Sequence, residues 1–463
     1  MGITRKLLGL STLNVNIPII SSNLNPQEQV WKGTRKAIRK EILMKTPSKA
    51  FIDQVKGRIA IFYPYSWSLP ALEDAANMFG EAGFLVDIYS ISKEDTGSWS
   101  FVHNNVKSQP GFEHLFPYSR ISPLPFLQRK GEKYYLPMVQ KIYRPLLRKY
   151  HFSRIFESIQ KSTPYTLVIG FDAEGLVVAN YVAHMFGIPI IYWSLEVIFS
   201  DDYGLPNHRA LKPQEKKVNK TVAFTIIQDK WRADLLKRAN ELGDQYKQFV
   251  FVPNARRGQA RRAPHQLLRN KLGIPADKKI VLYTGMLTWS AMLPELIEST
   301  KKWPDEFVLV INARYPMDNS EYRRIDIPKV FWSLSPCPRS QYREMVDSAD
   351  IGIALYESKL RRPDNHIHTY LNIATMGLSS GKISDYLQSG LPVITNKLIG
   401  TSEFIATYGC GISIDTPQGI GLALDMIGKN YSEYSQNACR AFNDGLEFER
   451  YFHSVVQKIK EWT

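Results

Sequence analysis

Cysteine is scarce. The 463 residues contain three, Cys337, Cys410 and Cys439, scattered and with no C-x-x-C pair. This excludes a zinc ribbon and a thioredoxin-like motif, and it fits a reducing cytoplasm. Long apolar runs are missing as well. A membrane-spanning helix needs roughly 18 apolar residues in succession. The nearest candidate, Ile188 to Phe199, is shorter and is interrupted by Glu196. Met1 to Leu10 lacks the sustained apolar stretch of a secretory signal. Lys6 stands where myristoylation requires Ser or Thr. Neither a short-period repeat nor a low-complexity tract is present. Acidic residues are in deficit: 44 Asp and Glu face 59 Lys and Arg, a net charge of +15. Such a surplus points to an anionic partner, or to a generally basic surface without one. The arginine pairs Arg256-Arg257 and Arg261-Arg262 read as solvated linker charges and match no nucleic-acid-binding module, so nucleic acid is not an expected partner. The expected location is cytoplasmic, with a peripheral position at the inner face of the plasma membrane as an extension of the charge argument.

What is present is an alternating pattern. Arg58–Tyr63, Leu85–Tyr89, Thr166–Phe171, Ile188–Trp193 and Val222–Gln228 are short, continuously apolar segments separated by helical ones. A second set follows: Ile280–Thr284, Phe307–Asn312, Val330–Ser333, Ile351–Leu355, Pro392–Thr395 and Gly411–Ile414. Apolar strands alternating with helices specify parallel sheets covered on both faces. A chain of this length exceeds one ordinary core. The expected fold class is therefore α/β, two Rossmann-like domains with parallel sheets facing a cleft. The expected boundaries are a basic, partly helical extension over 1–56, a first domain over 57–250, a linker over 251–275, a second domain over 276–428, and a helical segment over 429–463 returning towards the first domain. Within the extension, Pro26–Lys45 reads as a basic amphipathic helix, suited to an anionic membrane surface or to packing on its neighbour.

The strongest local signal is Met376–Asn396, MGLSSGKISDYLQSGLPVITN, a Gly- and Ser-rich turn leading into a helix. Free N–H groups at a helix start, with the positive end of the dipole, form an anion site. Ser379 or Ser380 can serve as N-cap. Lys382 is the telling residue, because a cation in the first turn opposes the dipole by about 0.3–1 kcal/mol unless an anion is bound there. Gly381 opens the helix, and Asp385, three residues after Lys382, can accept from the hydroxyls of an attached sugar.

These residues carry a resemblance. VPNARRG with LRNKLGIPADKKIVLYTGML, then SADIGIAL and GKISDYLQSGLPVITN, resemble in order the linker, first strand and donor-binding segment of GT-B glycosyltransferases of the "glycosyl transferase group 1" kind. The resemblance implies a metal-independent, hexosyltransferase-type enzyme without cofactor. It would move sugar from a nucleotide diphosphate sugar to an acceptor hydroxyl on a glycan or lipid-linked molecule, as in polysaccharide or glycolipid synthesis. It implies Asp385 at the ribose and Gly285 at the end of the first strand of the donor domain. Two family charges are missing: Gly377 replaces a glutamate, and Met286 replaces an arginine that contacts the diphosphate. Lys382, or Arg314 after Phe307–Asn312, is the expected replacement cation. The nucleobase is placed near Trp332 to Ser335. A base for an inverting reaction belongs at the carboxyl ends of first-domain strands; Asp172, Glu174 and Glu196 occupy such places, where the first two also suit helix capping. A retaining enzyme needs no such base. Tyr63, Tyr65 and Trp67 follow the first strand, where sugar stacking and core packing are equally open. His366 and His368 have no third ligand nearby in sequence, so no metal site is expected. A sugar-nucleotide epimerase of the same fold and a nucleotide-sugar-binding subunit without catalysis remain alternatives.

Overall fold

The computed structural model describes residues 56–65, 67–91, 99, 101–109, 111, 112, 115, 152–155, 157, 164–202, 206–313, 327–334, 337–361 and 366–461. The amphipathic segment Pro26–Lys45, Arg314 and Ser335 lie outside the described residues.

Two parallel sheets form the frame. In the first domain, β1 (Gly57–Tyr63), β2 (Phe84–Ser90), β3 (Val106–Gln109), β4 (Tyr165–Phe171), β5 (Ile190–Trp193), β6 (Phe224–Ile227) and β7 (Phe249–Phe251) run in the order β3-β2-β1-β4-β5-β6-β7. In the second, β8 (Lys279–Gly285), β9 (Phe307–Ala313), β10 (Val330–Ser333), β11 (Ile351–Ala354), β14 (Val393–Asn396) and β15 (Gly411–Ile414) run β10-β9-β8-β11-β14-β15. Between them in sequence, β12 (Lys359–Arg361) and β13 (Ile367–Thr369) form a separate antiparallel hairpin. The molecule is thus an α/β protein of two Rossmann-like domains, as the alternating pattern anticipates. The sequence reading lacks β3, β7 and the hairpin. Each is three or four residues long, and β3 and β7 are sheet edges, where the apolar signal is weakest.

β1 shows why these strands are continuously apolar. Ile59, Ile61 and Tyr63 join the core on one face of the sheet, while Ala60 and Phe62 join the core on the other. Helix α1 (Pro70–Glu81) covers the first face and helix α2 (Asp172–Phe186) the second. The chain's last helix, Phe448–Lys460, also lies on the first face. Its Phe452 ring packs against Phe79 at 5.1 Å and against Trp193 at 5.6 Å. The preceding helix, Tyr431–Gly445, packs instead in the second domain through Ala438, Ala441 and Phe442. Among the described residues no helix is long and apolar enough to cross a membrane.

In both sheets the strand order reverses beside the first strand, between β1 and β4 and between β8 and β11. Crevices open outside the carboxyl ends of strands at such points, and here the two crevices face each other. Helix α2 approaches its sheet so closely that a Cβ on Gly170 would stand 2.3 Å from the Leu176 Cα. Gly170→Ala is therefore expected to lose about 3 kcal/mol or more, beyond the usual cost of overpacking. A thermal melt within a degree or two of wild type would show that the helix yields instead.

Candidate active site

The cleft between the domains holds about 670 Å³ and is lined from both sides. The first domain contributes Ser68 to Ala71 after β1, Glu196 after β5, and Arg232. From the second come the ends of β8, β9 and β11 and the loop from Met376 into helix Gly381–Gln388.

Ser380 is the N-cap of that helix, accepting from the Ile383 N–H at 3.3 Å, and its hydroxyl lies 2.5 Å from that of Tyr356. Ser379 turns its hydroxyl back onto the Met376 carbonyl at 2.7 Å. The N–H groups of Gly381 and Lys382 have no intrahelical acceptor, as at any helix start, and both residues line the cleft. The Lys382 ammonium sits 4.5 Å from the centre of the Tyr283 ring and 4.7 Å from that of Tyr356. Burial pushes both phenols up, so neither supplies an anion. Among the described residues no carboxylate pairs with Lys382, and burial pulls its amine down to about 8. Gly285 lies beside it: a Cβ there would be 3.5 Å from the Lys382 Nζ.

Asp385 is held on both oxygens, by Arg256 Nε at 2.9 Å and by the Tyr342 hydroxyl at 2.8 Å. Each oxygen retains a second lone pair for a ligand hydroxyl. Arg256 is thus a cleft residue rather than a solvated linker charge. Arg257 bridges to Glu81 and Glu449, and Arg262 donates to the carbonyls of Asp347 and Ala349. A basic cluster in sequence does not reveal which neighbours fold onto it.

Of the three carboxylates after the first-domain strands, only Glu196 lines the cleft. Asp172 is buried, with a left-handed φ of 50°. It does not cap its own helix. Its Oδ1 accepts from the Leu195 and Glu196 N–H groups at 2.7 and 2.9 Å, and its Oδ2 accepts from the Tyr65 hydroxyl at 2.6 Å. Burial first, then the nearby charge of Glu196, raises its carboxyl from 3.8 to about 7. Glu174 stands half-buried on α2, away from the cleft lining. The exposed Trp67 stacks on Tyr65 at 4.6 Å. His368 lies 3.7 Å from Asp202, and among the described residues no three His, Cys, Asp or Glu side chains gather as metal ligands.

The clamp across the cleft escapes the sequence reading. Arg232 is 1% exposed. Its guanidinium donates to Gln228 Oε1, to the Asn372 and Thr375 carbonyls, to Asn372 Oδ1 and to the Leu195 carbonyl. The preceding N-cap, Asp229, accepts from Arg232 N at 2.9 Å and from Leu378 N, in the other domain, at 2.6 Å. A usable signal was present: Arg232, like Lys382, is a cation in a first helical turn, where the dipole disfavours it. At Gly377, φ is +53° and a Cβ would lie 2.1 Å from Asp229 Oδ2. The glutamate that the resemblance places there cannot fit, because a first-domain carboxylate fills the space.

Comparison with known proteins agrees with this architecture. Residues 338–459 match the family model "Glucosyltransferase 3-like, C-terminal domain". No curated protein matches the sequence. Among solved structures, sucrose-phosphate synthase from Thermosynechococcus elongatus superposes with a TM-score of 0.61 at 13% identity, over 88% of this chain and 98% of that one. HepE from Anabaena, in complex with UDP and glucose, gives 0.58 at 13% identity over the same shares. A glycosyltransferase from Rickettsia africae gives 0.56 at 13% identity, again over 88% and 98%. The fold is that of a GT-B glycosyltransferase.

Asp172 is the uncommon carboxyl whose folded-state value exceeds its ordinary one. Stability at this site is full near pH 4 and declines as pH rises through 7. Asp172→Asn, which retains the acceptor for both N–H groups and tolerates the left-handed backbone, should therefore gain on wild type between pH 5.5 and pH 8.5. A melting-temperature difference that does not change with pH would contradict this.

Proposed function

We propose that this protein is a glycosyltransferase that binds a uridine diphosphate sugar on its second domain and transfers the sugar to an acceptor hydroxyl presented by the first. The observation that carries this reading is Lys382, a half-buried ammonium at a helix start, flanked by two neutral phenols and matched by no carboxylate among the described residues. A cation drawn partly out of water with no opposite charge beside it is costly, and a diphosphate would supply the missing charge. Asp385 then accepts from ribose or sugar hydroxyls, with Arg256 and Tyr342 fixing its orientation. The Gly381 and Lys382 N–H groups add donors to the leaving diphosphate, the stabilisation such a transfer needs. Glu196, at the cleft wall of the acceptor domain, takes the acceptor proton if the reaction inverts.

Uridine is favoured because HepE, of the same fold, was solved with UDP and with UDP-glucose. Glucose is the sugar suggested by the name of the family model. The net charge of +15 supports an acceptor carried at an anionic membrane surface, such as a lipid-linked or surface-polysaccharide intermediate. No metal is required where helix N–H groups and an ammonium hold the diphosphate.

Thermal shift with UDP, GDP and ADP tests the site. UDP at a hundred times its dissociation constant should stabilise the protein by about 2.7 kcal/mol. Lys382→Met should abolish that response while melting no lower than wild type without ligand, since it removes a buried charge. UDP affinity should also fall as pH rises from 7 to 9, because only the ammonium form, present below about 8, attracts the anion. A Lys382→Met protein that still binds UDP with wild-type affinity would sink the assignment. Isomerised UDP-sugar without acceptor would instead identify an epimerase, and tight binding without turnover a binding subunit.

A further inference from the structure

Asn372 belongs to the second domain, on the short helix Leu371–Ala374 that follows the β12–β13 hairpin. Its carboxamide nevertheless reaches into the first domain, into the loop after β5. Oδ1 accepts from the Val197 N–H at 2.9 Å and from Arg232 at 2.7 Å. Two donors on that oxygen fix the amide, so Nδ2 is the atom directed at Glu196, and it donates to the Glu196 Oε2. The same loop is gripped from below by Asp172, through the Leu195 and Glu196 N–H groups. The N–H of Glu196 is therefore held by its own domain, whereas the next N–H and the Glu196 carboxylate are held by the other.

We infer that Asn372 is a cross-domain positioning residue, whose side-chain amide orients the Glu196 carboxylate towards the cleft only while the two domains are closed on each other. The inference rests on the reading of Glu196 as the base. Opening the cleft separates Asn372 from Glu196 because they sit on different domains, so the carboxylate loses the one side chain that donates to it among the described residues. A base released in the open state and aligned in the closed one limits wasteful attack by water on the bound donor. An amide is the group this place demands. It must accept from two donors on one side and donate to a carboxylate on the other, which neither Asp nor an aliphatic residue of similar size can do. Among the described residues, the charged and titratable groups that interact with Glu196 are Asp172, Arg232, Tyr65 and Tyr356.

The test uses the full chain with UDP-glucose as probe, measuring UDP release with and without p-nitrophenyl β-glucoside as acceptor, together with UDP affinity and the radius of gyration in solution. Arg232 keeps its bonds to Gln228, Leu195, Thr375 and the backbone of residue 372, so Asn372→Ala should fold. It should lower kcat at least roughly tenfold while leaving the dissociation constant for UDP within about twofold, a split that a merely structural role would not produce. Asn372→Asp places a second carboxylate against Glu196. It should move the acid limb of the kcat/KM profile up by about one pH unit, as a like charge does, and should enlarge the radius of gyration at pH 8 but not at pH 5. Unchanged kcat, profile and radius in both variants would overturn the inference, as would a loss of UDP affinity parallel to the loss of kcat. Should wild type release no UDP, the transferase reading fails by itself, and the pH-dependent radius of Asn372→Asp then decides whether this contact couples the domains.

Discussion

The arrangement of the cleft depends on one buried guanidinium. Arg232 leaves the first domain and spends its donors on two second-domain carbonyls and a second-domain amide, as well as on Gln228 and Leu195 of its own side. Burying such a cation costs several kcal/mol unless its hydrogen bonds are met. Here they are met almost wholly by neutral oxygens, and only when both domains are in place. The segment 371–378, which leads into helix Gly381–Gln388, is thereby held in register with the first domain. Asp229 strengthens the same junction by accepting from Leu378. The loop before helix Gly381–Gln388 is thus shaped partly by residues that belong to the opposite domain.

That dependence accounts for one of the two departures from the pattern the sequence resembles. The carboxylate missing at Gly377 is excluded by Asp229, which needs the same volume to dock the loop. The arginine missing at Met286 leaves Lys382 as the uncompensated cation near the end of β8. Other cations line the cleft but are already engaged: Arg256 with Asp385, Arg339 with Glu73, and Arg232 with the carbonyls it clamps. Among the described cations of the cleft, Lys382 alone faces phenols rather than a carboxylate or carbonyls, and two helix N–H groups lie beside it. Tyrosine faces around that charge keep it desolvated without neutralising it, and this strengthens its attraction for an anion.

How much of this was readable in advance follows from the range of each interaction. The central strands were legible because each buries both faces and so reads as an unbroken apolar run; Ile59–Tyr63 is the clearest case. Lys382 and the Ser380 cap were legible because capping and dipole effects act within one turn of the chain. Arg232 carried the same local signal, and Arg256 carried none beyond its charge. Their partners lie more than a hundred residues away, at Asn372 and Asp385. Glu196 could not be separated from Asp172 and Glu174, since all three follow first-domain strands. Only the left-handed turn at Asp172, which swings its carboxyl towards Leu195, removes it from the cleft.

The two places where the chain passes between domains lie side by side. Phe448 donates to the Arg256 carbonyl at 3.3 Å, and Gly258 donates to Glu447 at 2.9 Å, so the linker and the start of the last helix are joined. Adjacent crossings are the arrangement a hinge needs, because rotation there would change few backbone dihedrals and disturb neither sheet. The resistance to opening must then come from side chains that span the cleft. Arg232 with segment 371–378, Asp229 with Leu378, Arg339 with Glu73 and Asn372 with Glu196 are such contacts. All are polar, and water can replace each as the cleft opens, whereas the apolar cores of both sheets stay intact. Closure secured by such contacts would be reversible at modest cost, as the proposed entry of a charged donor and exit of a nucleotide would require.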